Sequence, residues 1–240
     1  ANYDGDGYNV AVGHEAGKAI TTGVYNNIIG GLAGDALTTG GFNVAMGYAA
    51  LGAEDTGSRN VAIGHSALTA LNYDGAGYNI AIGYNAGTAV TTGTNNTLVG
   101  GLAGDSITSG QHNVALGYNA LAGEDAHGRN IAIGTNALAV QDAGADAYNI
   151  AIGHNAGLAV STGINNVLIG GLAGDDITTG NYNVAIGYRA LQAEDTHGRN
   201  VAIGYNSLAT LNAGADAYNV GVGFKAGEAI TTGILNTLVG

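Results

Sequence analysis

One interval constrains what this chain can fold into. An Asn followed four residues later by Gly occurs at Asn9, Asn26, Asn43, Asn60, Asn79, Asn96, Asn113, Asn130, Asn149, Asn166, Asn183, Asn200, Asn219 and Asn236. The steps between them are 17, 17, 17, 19 and then the same set again, so Asn9, Asn79, Asn149 and Asn219 stand 70 apart. Self-similarity at a short fixed period marks a repeat architecture, in which each unit buries its apolar face against its neighbours. The period runs through residues 1–240 and reads as a single array, with superrepeats at about 1–70, 71–140 and 141–210 and a partial one at 211–240. Ala1 aligns with Leu71 and Gly240 with Gly30, which predicts a segment of a longer fibre.

Counted from the Asn, position +1 is mostly Val or Ile, +2 is usually Ala, +3 is aliphatic or Met, and +4 is Gly. Alternation of β-branched residues over about five positions is a strand signal, and Gly ends it where the chain turns. Seventeen residues are too few for a helix and its turns, but they suit two short strands and two corners. The expected fold is all-β: a parallel β-solenoid (β-roll) of about fourteen coils, each seventeen to nineteen residues long. In this reading +1 and +3 fill the interior and Ala at +2 faces outward, where a second chain approaches closely. Units at Asn9 and Asn26 carry Gly at +8 and an aliphatic at +11 (Ile20, Leu37), whereas units at Asn43 and Asn60 carry Leu51 and Leu68 at +8. Core volume is thereby conserved. Asn9, Asn43, Asn60, Asn79, Asn113, Asn130, Asn149, Asn183, Asn200 and Asn219 are expected to form a structural ladder, since stacked amides bond along the array and Asn tolerates turns.

Composition excludes several classes. Gly numbers 44 of 240 but Pro is absent and no three-residue Gly period exists, so the chain is not collagen. Hydrophobic residues at 46% argue against disorder. A net charge of −12 with six Lys and Arg repels phosphate backbones, so no nucleic-acid partner is expected. Apolar runs are too short for membrane insertion. Without Cys there is neither disulfide nor thiol chemistry.

Fixed positions in stacked coils become longitudinal stripes. Tyr48, Tyr84, Tyr118, Tyr188 and Tyr205 at +5 form a candidate glycan-contact stripe, because a tyrosine offers an apolar face with a polar tip. Self-stacking or packing at a chain interface is the simpler reading of the same stripe. Asp35, Asp105 and Asp175 close "GGLAGD" segments resembling a calcium-binding nonapeptide, but only once per superrepeat, so calcium is the one cofactor considered and none is expected. The Glu-Asp pairs at 54–55, 124–125 and 194–195 precede Arg59, Arg129 and Arg199 and are expected as surface ion pairs. Each acidic pair is repeated in register, whereas an active site needs singular convergent geometry, so no enzyme is expected. Thr-Thr-Gly recurs in two of four unit types, too sparsely for an ice-binding lattice.

The segments "NVALGYNAL" (113–121), "NVAIGYRAL" (183–191) and "NVAIGYNSL" (200–208) resemble the YadA-like head repeats of trimeric autotransporter adhesins. They are even more similar to the 17-residue NVAIG repeats of phage tail-fibre proteins. The resemblance implies a left-handed β-roll, three chains per fibre, an extracellular place on a virion or cell surface, and attachment to a surface glycan or receptor. It carries no catalytic or binding residue. The chain departs from the adhesin heads in its longer period and in Ile28, Leu98, Leu168 and Leu238 at +2. The function expected is a structural or adhesive fibre segment giving rigid multivalent presentation. A self-assembling filament without a receptor of its own is the alternative, and an ice- or glycan-binding solenoid a weaker one.

Overall fold

The computed structural model describes residues 7–240, so the alignment of Ala1 with Leu71 falls outside the described residues. The chain is an all-β, parallel β-solenoid with one three-residue strand per coil. Two compact units, residues 1–118 and 119–240, divide it. The first holds β1 (Val10–Val12), β2 (Asn27–Ile29), β3 (Val44–Met46), β4 (Val61–Ile63), β5 (Ile80–Ile82), β6 (Thr97–Val99) and β7 (Val114–Leu116). The second holds β8 (Ile131–Ile133), β9 (Ile150–Ile152), β10 (Val167–Ile169), β11 (Val184–Ile186), β12 (Val201–Ile203), β13 (Val220–Val222) and β14 (Thr237–Val239). Within each unit every strand pairs in parallel with the next, residue on equivalent residue. Ile28 faces Ala45 in the first, and Ala151 faces Leu168 in the second.

The faces are reversed relative to the sequence expectation. Position +2 is buried in every strand from β2 to β13, while +1 and +3 are half-buried or exposed. Alternation says which residues share a face, and what lies across the coil decides which face is inside. Here the far side supplies Leu51, Leu68, Leu121, Leu138, Leu191 and Leu208, all fully buried, which leaves room at +2 for a methyl group. Ala at +7, including Ala33, Ala50, Ala67 and Ala86, completes the thin interior.

The larger +2 residues follow from the same volume argument. Coils whose +8 residue is Gly lack that Leu, and Ile28, Leu98 and Leu168 fill the gap. A β-carbon on Gly157 would lie 2.6 Å from Leu168 Cδ1, and one on Gly174 would lie 2.8 Å from Leu168 Cδ2. One Leu at +2 therefore serves two glycine-bearing coils. At about 1.5–3 kcal/mol per buried aliphatic, this shared filling conserves the core.

The second strand expected in each coil is absent among the described residues; a run of turns replaces it. Residues at +6 and +8 are left-handed, as at Asn155 (φ 55) and Leu208 (φ 48), and so are those before the Asn, as at Tyr148 (φ 53) and Arg199 (φ 63). Such a φ costs an ordinary L-residue roughly 1–2 kcal/mol and suits Asn and Gly. The coil-to-coil bonds offset it: the amide of Leu208 donates to Ala226 O at 3.0 Å and that of Tyr25 to Gly7 O at 2.9 Å.

Candidate functional site

Three surfaces carry chemistry: the outer face of the strands, the aromatic stripes, and an acidic corner once per superrepeat.

The strand face is apolar and uncharged. Its +1 and +3 residues include Val10, Val12, Ile29, Met46, Ile80 and Ile82, each more than one-third exposed, interrupted by Asn27, Thr97 and Thr237. No Asp, Glu, Lys or Arg lies on any strand among the described residues. On a chain of net charge −12, this face carries no like-charge repulsion of its own among the described residues. The sequence reading missed it because it placed these residues inside.

Of the glycan-stripe tyrosines, Tyr48 stacks on His65 at 5.4 Å and Tyr84 on the other face of His65 at 5.5 Å. Tyr188 stacks on Tyr205 at 5.7 Å, and Tyr205 on Phe224 at 5.3 Å. Tyr118 lies over Gly101, where a β-carbon would come within 3.6 Å of the ring. Ring faces are thus largely occupied by neighbouring coils, and ring edges and hydroxyls meet solvent. Shorter stacks use the residue before the Asn in some coils. Tyr8, Tyr25 and Phe42 stack at 5.2 and 5.0 Å, and Arg59 sits 5.3 Å from Phe42 and 5.8 Å from Tyr78. Arg199 likewise lies 5.6 Å from both Tyr182 and Tyr218.

Asn9, Asn43, Asn60, Asn79, Asn113, Asn130, Asn149, Asn183, Asn200 and Asn219 line one corner of the coils, buried from Asn26 to Asn219. Their side-chain oxygens accept the backbone amide of the next Asn: Asn26 on Asn9 at 2.8 Å, Asn60 on Asn43 at 2.9 Å, Asn166 on Asn149 at 2.8 Å and Asn200 on Asn183 at 3.1 Å. Several Nδ2 groups donate to a Gly carbonyl fourteen residues on, as from Asn79 to Gly93 at 2.8 Å and from Asn219 to Gly233 at 2.7 Å, whereas Asn60 donates to Ser58 O, Asn130 to Glu124 and Asn183 to His197 O.

The glutamates of these pairs are not surface carboxylates paired with the arginines that follow them, and that expectation is corrected. Glu54, Glu124 and Glu194 are fully buried. Their carboxylates take the corner amides instead, as Glu54 does from Gly57 at 2.6 Å and Tyr73 at 3.3 Å. Arg129 pairs with Asp146 at 2.6 Å and Arg199 with Asp216. Burial pushes Glu54 and Glu194 above the usual carboxylate range and Glu124 up to about 7.

Asp35 lies 3.3 Å from Lys18 Nζ. Asp105 is raised by burial; Asp175 is pushed up to about 6 by burial first and then by Asp176, and its Oδ1 has no partner. None of these three joins a cluster of metal-ligating side chains among the described residues, whereas Glu124, Asp125, His127 and Asp142 form one and Glu194, Asp195 and His197 another.

The chain matches no family model, no curated protein and no solved structure. Fold and period define a parallel β-solenoid repeat protein, an architecture consistent with the general class of fibre and adhesin repeats. Among the described residues no helix is long and apolar enough to cross a membrane.

Proposed function

We propose that this chain is a structural segment of an extracellular fibre, on a virion or a cell surface, and that its strand face associates with copies of the same chain, three to a fibre. The supporting observation is the outward row of Val, Ile, Leu and Met at +1 and +3, uncharged on an acidic chain. Apolar patches of this regularity mark interaction surfaces, and a copy of the chain is a suitable occupant because the meeting faces carry no charge. The role is mechanical and not enzymatic, with multivalency following from repetition. Solution mass by light scattering tests it. A mass about three times 23.6 kDa is expected, and a monomer at micromolar concentration overturns the assembly.

The self-stacked tyrosines favour a filament with no receptor of its own over a glycan-binding one. If tyrosine edges do contact glycan, an immobilised polysaccharide retains the chain, and Tyr188→Ala with Tyr205→Ala releases it. Equal retention of both proteins, or none of either, leaves the structural role alone.

A further inference from the structure

We propose that the corner formed by Glu194, Asp195 and His197 binds a first-row divalent transition-metal ion of the zinc type, and that Glu124, Asp125, His127 and Asp142 form a second copy of that site one superrepeat earlier. This does not depend on how the chain assembles.

In each group one ligand atom per residue lies within 4.8 Å of all the others. His197 Nδ1 stands 3.7 Å from Glu194 Oε1, and His127 Nδ1 stands 3.9 Å from Glu124 Oε1. A tetrahedral ion with bonds of about 2.0–2.2 Å holds its ligands roughly 3.4 Å apart, so small side-chain rotations suffice. Glu194 is fully buried and its Oε2 has no hydrogen-bond partner. The Ala213 backbone amide, the counterpart of the Tyr73 amide at Glu54, approaches this carboxylate and opposes the rise that burial causes. A buried carboxylate oxygen left without a donor is costly, and it is completed by a proton at low pH or by a cation where one binds.

The three superrepeats supply an internal comparison. Where the later copies carry His127 and His197, the first carries Gly57. A β-carbon on Gly57 would lie 2.4 Å from Glu54 Oε1, so the carboxylate there occupies space that a side chain needs. With glycine, Glu54 closes tightly onto the corner, at 2.6 Å from the Gly57 amide, and its other oxygen takes the Tyr73 amide at 3.3 Å. With histidine, the equivalent amide bond is 3.1 Å at His127 and 3.3 Å at His197. Histidine therefore accompanies a looser carboxylate and brings an imidazole to its side. Thr196 Oγ1, 2.9 Å from His197 Nδ1, keeps that nitrogen hydrogen-bonded and turns away when a metal takes it. An imidazole among carboxylates selects zinc, cobalt or nickel, whereas calcium prefers oxygen alone.

Calorimetric titration of the metal-stripped full chain with zinc chloride tests the site. Two equivalents are expected, with Kd about 10 μM or tighter, and calcium chloride gives no comparable heat. His197→Asn removes one equivalent and His127→Asn the other, while His154→Asn at an exposed +5 position removes neither. The side chains of His127 and His197 are 32% and 28% exposed, so their loss is compatible with folding. A second readout needs no variant: cobalt on the intact chain gives the intense visible absorption of a four-coordinate site, which zinc abolishes. No zinc heat, zinc binding that survives both substitutions, calcium binding of equal strength, or a cobalt spectrum of the hydrated ion would each overturn the proposal.

Discussion

The Oδ1 of Asn149 accepts the backbone amide of Asn166 one coil on, at 2.8 Å, and its Nδ2 donates to Gly163 O at 2.7 Å and Gln141 Oε1 at 2.6 Å. One buried side chain thus satisfies groups of three other residues that water does not reach. Asn149→Ala leaves the Asn166 amide and the Gly163 carbonyl without partners, at about 1–3 kcal/mol each. A loss of roughly 2–5 kcal/mol in urea unfolding is expected. Asn9→Ala, at a partly buried position, should cost less than half of that.

The corner glycine is the next test. Gly153 has φ 138, and a β-carbon there would lie 2.5 Å from Gly170 O. Both conformation and space refuse a side chain, so Gly153→Ala should cost at least about 3 kcal/mol, through strain and displacement of the neighbouring coil. Gly144 is the control: at φ 66 with nothing within 4 Å of its β-carbon, it should lose about 1–2 kcal/mol as Ala. Equal melting temperatures for the two variants would remove the close-approach argument.

These two residue types explain why the period was legible. Asn and the corner Gly answer backbone demands that every coil repeats, so their spacing reports coil length directly. The inside of the strand was not legible, because Val-Ala-Ile alternation allows two orientations and Leu at +8, across the coil, decides between them. The sequence also gives no sign that Tyr148 or Leu208 adopts a positive φ, and for that reason a second strand was expected where turns stand. Glu54 reads as a surface carboxylate beside Asp55, Gly57 and Arg59. What draws it inside is the pair of amides at Gly57 and Tyr73, and the second of these comes from the next coil.

The reversed face can be tested directly. Ile152 at +3 faces outward and Ala151 at +2 inward. Ile152→Lys should leave the melting temperature of the chain itself nearly unchanged while shifting the light-scattering mass toward the monomer. Ala151→Leu, packed beside Leu168, should overfill the interior and cost about 1–3 kcal/mol. If Ile152→Lys unfolds the chain and Ala151→Leu does not, the faces are the other way round.

The buried glutamates set a pH dependence whose sign is opposite to that of an ion-paired carboxylate. Glu54 and Glu124 have an ordinary pKa of 4.5, and burial raises both, Glu124 to about 7. The folded chain then holds protons that the unfolded chain releases. The stabilisation is fully present below pH 4.5 and is lost as pH rises through the folded values, to about 7 for Glu124. In chelator-treated buffer the melting temperature should fall by roughly 5 °C between about pH 5 and pH 8. Self-repulsion of an acidic chain gives the same trend, so the decisive comparison is between substitutions that remove equal charge. Glu54→Gln with Glu124→Gln keeps a neutral group in each corner and should flatten the slope, whereas Asp74→Asn with Asp176→Asn on the exposed surface should leave most of it. If the surface pair flattens the curve as much as the buried pair, the slope belongs to net charge and the corner carboxylates contribute nothing to it.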